Sequence, residues 1–351
     1  MTATRPTEAT TPGPADAPEA RIWVLDDPRA GTAAQALGIA ERLGMPFRRI
    51  PLAWSWMAHV AGLAPGGSLL GLSPAARHAV GQATRHPHSE TAPPDLVLSA
   101  GRRSAAVALW LKARFGCRIV HCMNPGLGGL FRPDAFDLLV IPGHDNPVPA
   151  PNLLRITGAP HRVTQLKLRH ARDAWEERLA HLPRPRVALL VGGPIRGTEM
   201  PPARAHALAR QVARLVSKTN GSVIATTSRR TGAEATEALS AGLARVMHVL
   251  YRWGEPGENP YLGFLATADA IVVTADSISM ISEACASGAP VFVALPEQAD
   301  ARKRRFLAEL AEADQVRPLG TDLSPWARAP FDEAERVARE IRRRFGLGAP
   351  A

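Results

Sequence analysis

The segment from Ala270 to Ala294 constrains the fold more than any other part of the chain. It begins with the apolar run 270–273, which is typical of a strand buried on both faces of a parallel sheet. The polar residues 274–277 follow, and apolar positions at helical spacing continue beyond them. Gly288 is expected to end that helix, and Pro290 to precede a second buried strand. The segment therefore predicts a β-α-β unit with parallel strands.

The polar loop of this unit is the first candidate binding site. Ligands of open α/β sheets bind at the carboxyl ends of the strands, and the free N–H groups of a helix start favour an anion such as phosphate. Asp276 and Ser277 are residue types that begin helices, and Ser279 lies in the predicted first turn. Glu283 lies about two turns into the helix, where it would reach the hydroxyls of a sugar attached to that phosphate. In the alternative interpretation, the serines only cap the helix of an ordinary α/β protein.

This arrangement resembles the nucleotide-sugar site of GT-B glycosyltransferases. The resemblance implies that Asp276, Ser277 and Ser279 hold a diphosphate, and that Glu283 binds the ribose. Asp276 stands where many GT-B enzymes have a small neutral residue, and its carboxylate would repel a diphosphate unless it caps the helix. The implied co-substrate is a nucleotide-diphosphate sugar, with no other cofactor and no metal.

The pattern of strand, polar loop and helix recurs in two successive sets, which indicate two domains. Residues 21–182 carry the first set and residues 183–330 the second, with the Pro-rich segment 182–185 as the linker. We therefore predict an α/β fold of two Rossmann-like domains facing each other across a cleft, as in GT-B proteins. Residues 1–20 are expected to form a disordered tail, and a last helix in 331–351 to pack back on the first domain.

Further candidates lie in the loops after other predicted strands. Gly192 and Gly193 would let backbone N–H groups approach a diphosphate, and Arg229 would offset the charge of the leaving group. Gly31, in the loop after the first strand, is assigned to the same substrate site.

A second candidate anion site lies at the start of a predicted helix in the first domain. Arg102, Arg103 and Ser104 follow a glycine there, a composition that suits the phosphate of an acceptor or the far end of the donor. A solvated turn is the alternative interpretation. Arg102 is also an alternative to Arg229 for the leaving-group charge.

The candidates for the catalytic base are Asp27, His144 and Asp145. Histidine titrates near neutrality, and a neighbouring carboxylate would orient its ring. Adjacent residues of an extended loop point apart, however, so Asp145 need not orient His144. The assignment therefore stays open between these three residues and Asp26.

Composition and motifs disfavour several other classes of protein. A Rossmann Gly-x-Gly-x-x-Gly fingerprint is missing after the first strand, which disfavours an NAD-dependent epimerase or reductase. The pair His86 and His88 has no cysteine nearby, so a solvated loop is favoured over a metal site. The net charge of +10 favours anionic partners, but nucleic acid is disfavoured because basic residues and aromatics do not interleave. The cysteines have no pairing pattern, which fits a reducing compartment.

The segment around Trp54 and Trp56 allows two interpretations. Both tryptophans lie near Arg48 and Arg49, and aromatic and basic residues together mark some interfacial membrane patches. Alternatively, the tryptophans fill the core. Because neither a signal peptide nor a transmembrane run is visible, we expect a cytoplasmic protein, with peripheral contact to an anionic inner membrane as one of its predicted interactions.

Six sequence motifs together resemble the mitochondrial-fission family named after the plant elongated-mitochondria protein, which has many bacterial members. The motifs are 23–27 with Gly31 and 35–38; 99–104; 142–145; 158–164; 190–194; and 274–284. The resemblance implies a GT-B-like fold and leaves two functions open. One is a glycosyltransferase that transfers a sugar from a nucleotide-diphosphate sugar to an unknown acceptor. An acceptor of the cell envelope is one expectation for this enzyme. The other is a non-catalytic adaptor that recruits a partner protein or binds a membrane surface.

Overall fold

Two six-stranded parallel sheets form the frame of the molecule, within the residues that the computed structural model describes: 21–59, 67–84, 93–126, 133–193, 200–296 and 299–347. The expected tail 1–20 lies outside these ranges. The first sheet contains β1 (Ile22–Asp26), β2 (Phe47–Pro51), β3 (Leu96–Ala100), β4 (Arg118–Cys122), β5 (Leu138–Pro142) and β6 (Leu153–Ile156). The second contains β7 (Arg186–Val191), β8 (Ser222–Thr227), β9 (His248–Tyr251), β10 (Ala270–Thr274), β11 (Val291–Ala294) and β12 (Arg317–Pro318).

The strand order reverses once in each sheet, between β1 and β3 in the first and between β10 and β7 in the second. The first sheet has the order β2-β1-β3-β4-β5-β6, and the second has β12-β11-β10-β7-β8-β9. The connection that follows β1 runs toward one edge of the first sheet, and the connection that follows β3 runs toward the other. The connections that follow β7 and β10 diverge in the same way in the second sheet. Ligands of open α/β sheets bind outside the carboxyl ends of such strand pairs.

Helices cover both sheets and pack their apolar faces on the buried strands. They are α1 (Ala30–Leu43), α2 (Pro74–Thr84), α3 (Arg102–Phe115), α4 (Gln165–Trp175), α5 (Pro202–Ser217), α6 (Ala233–Leu243), α7 (Tyr261–Thr267), α8 (Ile278–Cys285), α9 (Ala301–Glu312) and α10 (Glu333–Phe345). The strands read from apolar runs are buried along most of their length, as in β7 and β10, where every residue is buried. The predicted α/β fold of two Rossmann-like halves is confirmed.

Each half contributes a helix to the core of the other. The chain therefore already belongs to the core of the second half before it reaches the Pro-rich segment 182–185. Leu168 of α4 and Leu182 pack with Phe264 in the core of the second half, because the chain crosses over earlier, in residues 157–164. In the other direction, Val337 and Ile341 of α10 pack in the core of the first half. The sequence boundary at residue 182 therefore falls within the second core.

The chain crosses between the halves in residues 157–164 and again just before α10, and these two crossing segments contact each other and α1. The buried Arg42 guanidinium lies 2.8 Å from Asp332, just before α10, and also donates to the carbonyl of Val163. The backbone N–H of Thr157 donates to the Glu333 carboxylate at 2.7 Å. A buried charge needs such partners, so these contacts fix how α1 stands relative to the second half.

None of the described helices combines the length and the apolar character that a membrane span requires.

Candidate functional site

A cleft of about 710 Å³ lies between the two halves, at the carboxyl ends of the central strands. Its first-half wall is formed by the loop after β1, by β2 and by α1, and its second-half wall by α4 with residues of α7 and α8. Its lining residues are Asp26, Asp27, Pro28, Ala30, Ala33, Ala34, Leu37, Arg49, Pro51, Leu52, Arg162, Val163, Lys167, Tyr261, Leu262 and Glu283. The cleft thus combines apolar surface with carboxylates and cations, the composition of a small-molecule site.

The start of α8 is built as the segment 274–279 predicts. Ser277 is the N-cap, and its Oγ accepts a hydrogen bond from the backbone N–H of Met280 at 3.3 Å. The backbone N–H groups of Ile278 and Ser279 stand in the first turn, which offers them no intrahelical acceptor. A Cβ added at Gly31 of α1 would lie 3.3 Å from Ser279 Oγ, so the starts of α1 and α8 are in close contact where the two halves meet. Neither residue is among those that line the cleft.

Asp276 does not cap α8 but binds the glycine loop after β7. Its Oδ2 accepts from the N–H of Gly193 at 2.8 Å, and its Oδ1 accepts from Thr274 Oγ1 at 2.6 Å. The N–H of Gly192 in turn donates to Thr274 Oγ1 at 2.8 Å. Burial raises the pKa of Asp276, while the hydrogen bond from Thr274 and the N–H of Gly193 lower it. The expectation that both glycine N–H groups approach a diphosphate needs correction, because both donate within the protein.

Glu283 faces the cleft together with a residue that the sequence did not single out. Tyr261, at the start of α7, donates its hydroxyl to Glu283 Oε2 at 2.6 Å. Burial raises the pKa of Glu283 to about 7, and the hydrogen bond from Tyr261 opposes that shift. Tyr261 lies 22 residues before Glu283 in the chain, and a lone tyrosine carries no motif that would have indicated the pair.

Asp27 is the one of the three predicted catalytic residues that lines the cleft. It is 5% exposed, and its two carboxylate oxygens accept from the backbone N–H of Arg29 and from Trp54 Nε1, each at 2.9 Å. The neighbouring Asp26 pairs with Arg49 at 2.5 Å. Asp27 is therefore a fixed carboxylate on the first-half wall.

His144 and Asp145 belong to an interface rather than to the cleft, so their assignment as base and orienting group is corrected. His144 is buried, packs edge-on against Phe306 of α9, and has a pKa lowered to about 4, chiefly by burial. Asp145 forms a two-point ion pair with Arg302, also of α9, with the second contact at 3.1 Å. These contacts join the loop after β5 to the second half.

The predicted anion site at the start of α3 is only partly available to a ligand. Ser104 is buried, and its hydroxyl donates to the carbonyls of Ala100 at 2.6 Å and Gly101 at 3.0 Å, so it caps its own backbone. Arg103 lies 5.9 Å from the ring centre of Trp54, and Arg102 is exposed beside Gly126. The assignment of Ser104 to a ligand is corrected by this hydrogen bonding.

Arg229 lines a different cavity, of about 310 Å³, at the carboxyl ends of β8 and β9. Its neighbours there include Thr236, Arg252 and Trp253. Because this cavity shares no lining residue with the larger cleft, the structure does not bring Arg229 to the proposed leaving group.

Among the described residues, no group of three or more His, Cys, Asp or Glu side chains has the arrangement of a metal site. His86 and His88 lie outside the described residues. Cys117, Cys122 and Cys285 are buried free thiols whose pKa values burial raises to about 11, 12 and 12, which is typical of structural cysteines.

Solved structures of similar shape include proteins whose names refer to UDP or to a UDP-sugar. A UDP-GlcNAc 2-epimerase from Neisseria meningitidis bound to UDP-GlcNAc is 13% identical, with a TM-score of 0.56 over 93% of this chain and 100% of that one. The epimerase from Methanocaldococcus jannaschii is 14% identical, with a TM-score of 0.55 over 92% and 99%. A UDP-glucosyltransferase from Polygonum tinctorium is 12% identical, with a TM-score of 0.51 over 94% and 93%. These likenesses show a GT-B-type fold.

Sequence relatives identify the family. The chain is 34% identical over 198 residues to Mitochondrial fission protein ELM1 of Arabidopsis thaliana, a match that spans 56% of this chain and about half, 46%, of the plant protein. An uncharacterized protein of Rickettsia prowazekii is 25% identical over 92% of this chain and 97% of its own length. The family model described as Mitochondrial fission ELM1 matches residues 30–345. The chain therefore belongs to the mitochondrial fission ELM1 family.

Proposed function

We propose that the protein is a GT-B-type glycosyltransferase that binds a nucleotide-diphosphate sugar in the cleft between its halves. The observation that carries the proposal is α8: its Glu283 lines the cleft, and its start, with Ser277 as the N-cap, presents the first-turn N–H groups of Ile278 and Ser279 where the two halves meet. The diphosphate would bind at Ile278 and Ser279, and Glu283 would accept hydrogen bonds from the ribose. Relatives of this shape whose names include UDP or UDP-GlcNAc support a nucleotide sugar as the donor.

In the proposed reaction, an acceptor hydroxyl attacks the anomeric carbon of the donor. The bond from that carbon to the β-phosphate oxygen breaks, the nucleoside diphosphate leaves, and a base takes the proton of the acceptor. Asp27 is the candidate base, since it lies on the wall opposite Glu283 and is held by two hydrogen bonds. The N–H groups of the α8 start would stabilise the leaving diphosphate without a metal.

The proposal includes a cytoplasmic location with peripheral contact to the inner membrane. The net charge of +10 supports an anionic surface as the membrane partner.

A non-catalytic adaptor is the alternative, and specific contacts favour it. The Gly192 and Gly193 N–H groups are committed within the protein, and His144 and Asp145 hold the interface with α9 instead of facing a substrate. A GT-B scaffold used only to bind a partner would tolerate such internal commitments.

Thermal unfolding with and without UDP, GDP and their sugars separates the two functions. A ligand present at 100 times its Kd stabilises the folded state by about 2.7 kcal/mol, so the transferase should show a clear rise in Tm with one of these nucleotides. Glu283→Ala should weaken the binding of that nucleotide roughly 10-fold or more, because the ribose hydroxyls lose their hydrogen-bond acceptor.

Glu312→Ala, at the exposed end of α9, is the matched control and should bind like the wild type. The transferase proposal fails if no nucleotide raises the Tm of the wild-type protein, and ribose binding by Glu283 fails if both variants bind equally.

A further inference from the structure

Two large apolar side chains protrude together from the first half. Trp56 is 84% exposed and Leu70 is 53% exposed. Their segments pair with each other: Ser55 N–H donates to the carbonyl of Gly71 at 2.9 Å, and Trp54 forms an antiparallel bridge with Leu72. Trp56 and Leu70 therefore lie next to the same pair of hydrogen-bonded segments, and we call Trp56, Leu70 and Arg77 the tryptophan surface.

The tryptophan surface lies in a strongly basic part of the chain. The sequence from Gly44 to Ser89 contains no aspartate or glutamate, although it contains four arginines and four histidines. Arg77 donates to the carbonyls of Leu70 at 3.1 Å and Leu72 at 3.3 Å, which holds its guanidinium beside the apolar side chains. Exposed apolar groups next to fixed cations, without acidic neighbours in sequence, complement a surface that is both apolar and anionic.

The tryptophan surface also borders the first-half wall of the cleft. Trp54, two residues before Trp56, is half-buried and donates its indole N–H to Asp27 at 2.9 Å. Leu52, four residues before Trp56, lines the cleft, so the tryptophan surface lies on the same segment as part of the first-half wall. The two tryptophans thus have different roles: Trp54 packs inward, and Trp56 faces solvent.

We propose that the tryptophan surface docks on an anionic lipid bilayer. Indole rings favour the interface between headgroups and acyl chains, and each basic residue near an anionic membrane adds to the attraction. This docking sets the mouth of the cleft at the membrane surface. If the proposed transferase function holds, the acceptor is then an amphiphile whose apolar tail stays in the bilayer while its hydroxyl reaches Asp27.

The test is sedimentation of the full-length protein with vesicles of phosphatidylcholine alone and of phosphatidylcholine mixed with phosphatidylglycerol. The wild-type protein should bind the mixed vesicles, bind the neutral ones far less, and lose affinity as salt is added. Trp56→Ala should weaken binding to the mixed vesicles about tenfold, because the largest apolar group of the surface is lost.

Trp253→Ala is the matched control, since Trp253 is 55% exposed in the second half and has Glu255 and Glu258 close by in sequence. It should bind vesicles like the wild type. The proposal is overturned if the wild-type protein ignores mixed vesicles, if it binds neutral vesicles equally well, or if both tryptophan variants behave alike. It is also overturned if Trp56→Ala abolishes capture of a soluble protein partner while vesicle binding persists.

Nucleotide binding measured on the same variants keeps the two proposals separate. Trp56→Ala should keep the nucleotide affinity and the Tm of the wild type, which shows that the vesicle result does not come from misfolding. Vesicle binding without any nucleotide binding would support the tryptophan surface and reject the transferase proposal.

Discussion

At the residue scale, Glu283 and Tyr261 form the pair on which the proposed binding of a nucleotide sugar depends most. The carboxyl group has a pKa raised to about 7 by burial, and the Tyr261 hydroxyl stabilises the ionised form through a 2.6 Å hydrogen bond. An ionised Glu283 accepts hydrogen bonds from ribose hydroxyls, whereas the protonated form gives up part of that capacity. Affinity for the nucleotide sugar should therefore rise as the pH rises through about 7.

Tyr261→Phe should move this rise in affinity to higher pH. The hydrogen bond from the Tyr261 hydroxyl lowers the pKa of Glu283 and so opposes the effect of burial. When the hydroxyl is removed, the pKa of Glu283 increases further above its ordinary value. We expect roughly 10-fold weaker binding near neutrality, with recovery in more alkaline solution. The measurement is calorimetric titration with the nucleotide sugar across the pH range, since the phosphates of such a ligand do not titrate near neutrality.

Tyr251→Phe is the control, because the Tyr251 hydroxyl is 3.4 Å from the carbonyl of Glu255 and does not line the cleft. A pH profile that is the same in both variants would contradict the role of Tyr261 as a positioning residue for Glu283.

At the scale of single elements, α1 contacts both the cleft and the segments 157–164 and 331–332 that cross between the halves. Its start faces Ser279, and its middle packs directly on the backbone of His161, where Gly38 leaves no space for a side chain. Its end carries Arg42, which is paired with Asp332. The position of α1 is therefore set by contacts that also connect the two halves.

Gly38→Ala should destabilise the protein by about 1–3 kcal/mol, because the added methyl group overlaps the carbonyl of His161. Gly81→Ala in α2 is the matched control: its added methyl group meets no atom within 4 Å, and helix propensity predicts a gain of up to about 1 kcal/mol. Urea unfolding of the two variants measures the difference. Equal stabilities would show that α1 does not pack on the crossing segment as described.

The elements could be predicted from the sequence where local pattern determines them. The unit β10-α8-β11 follows from an apolar run, a capping serine and Gly288, and each lies where the pattern indicates. The confirmed fold follows from repeating that unit. Contacts between distant segments were not predictable in this way. The burial of His144 against Phe306 and the hydrogen bond from Tyr261 to Glu283 both depend on tertiary packing.

The boundary between the halves also depends on contacts between distant segments and not on local pattern. Prolines in 182–185 suggest a linker because proline restricts the backbone, but α4 already packs against α7 before that segment. Which core a helix joins depends on its whole apolar face, and this cannot be read from the local composition of the loop that follows it.

At the scale of the whole molecule, the two halves present different chemistry to the cleft. The first half contributes the hydrogen-bonded carboxylate of Asp27, and the tryptophan surface follows Leu52 of the cleft lining in the chain. The second half contributes Tyr261 and Glu283, and the start of α8 lies next to the start of α1 where the halves meet. Crossing segments, the Arg42–Asp332 pair and the contacts of α9 with the loop after β5 connect the halves around the space between them. The central claim is that this space holds a nucleotide-diphosphate sugar.

The most direct test is a crystal structure of the protein with a UDP-sugar. Our account predicts diphosphate oxygens within about 2.7–3.2 Å of the backbone N–H groups of Ile278 and Ser279, with the ribose hydroxyls on Glu283. A cleft that stays empty at saturating ligand, or a nucleotide bound only in the smaller cavity beside Arg229, would contradict it.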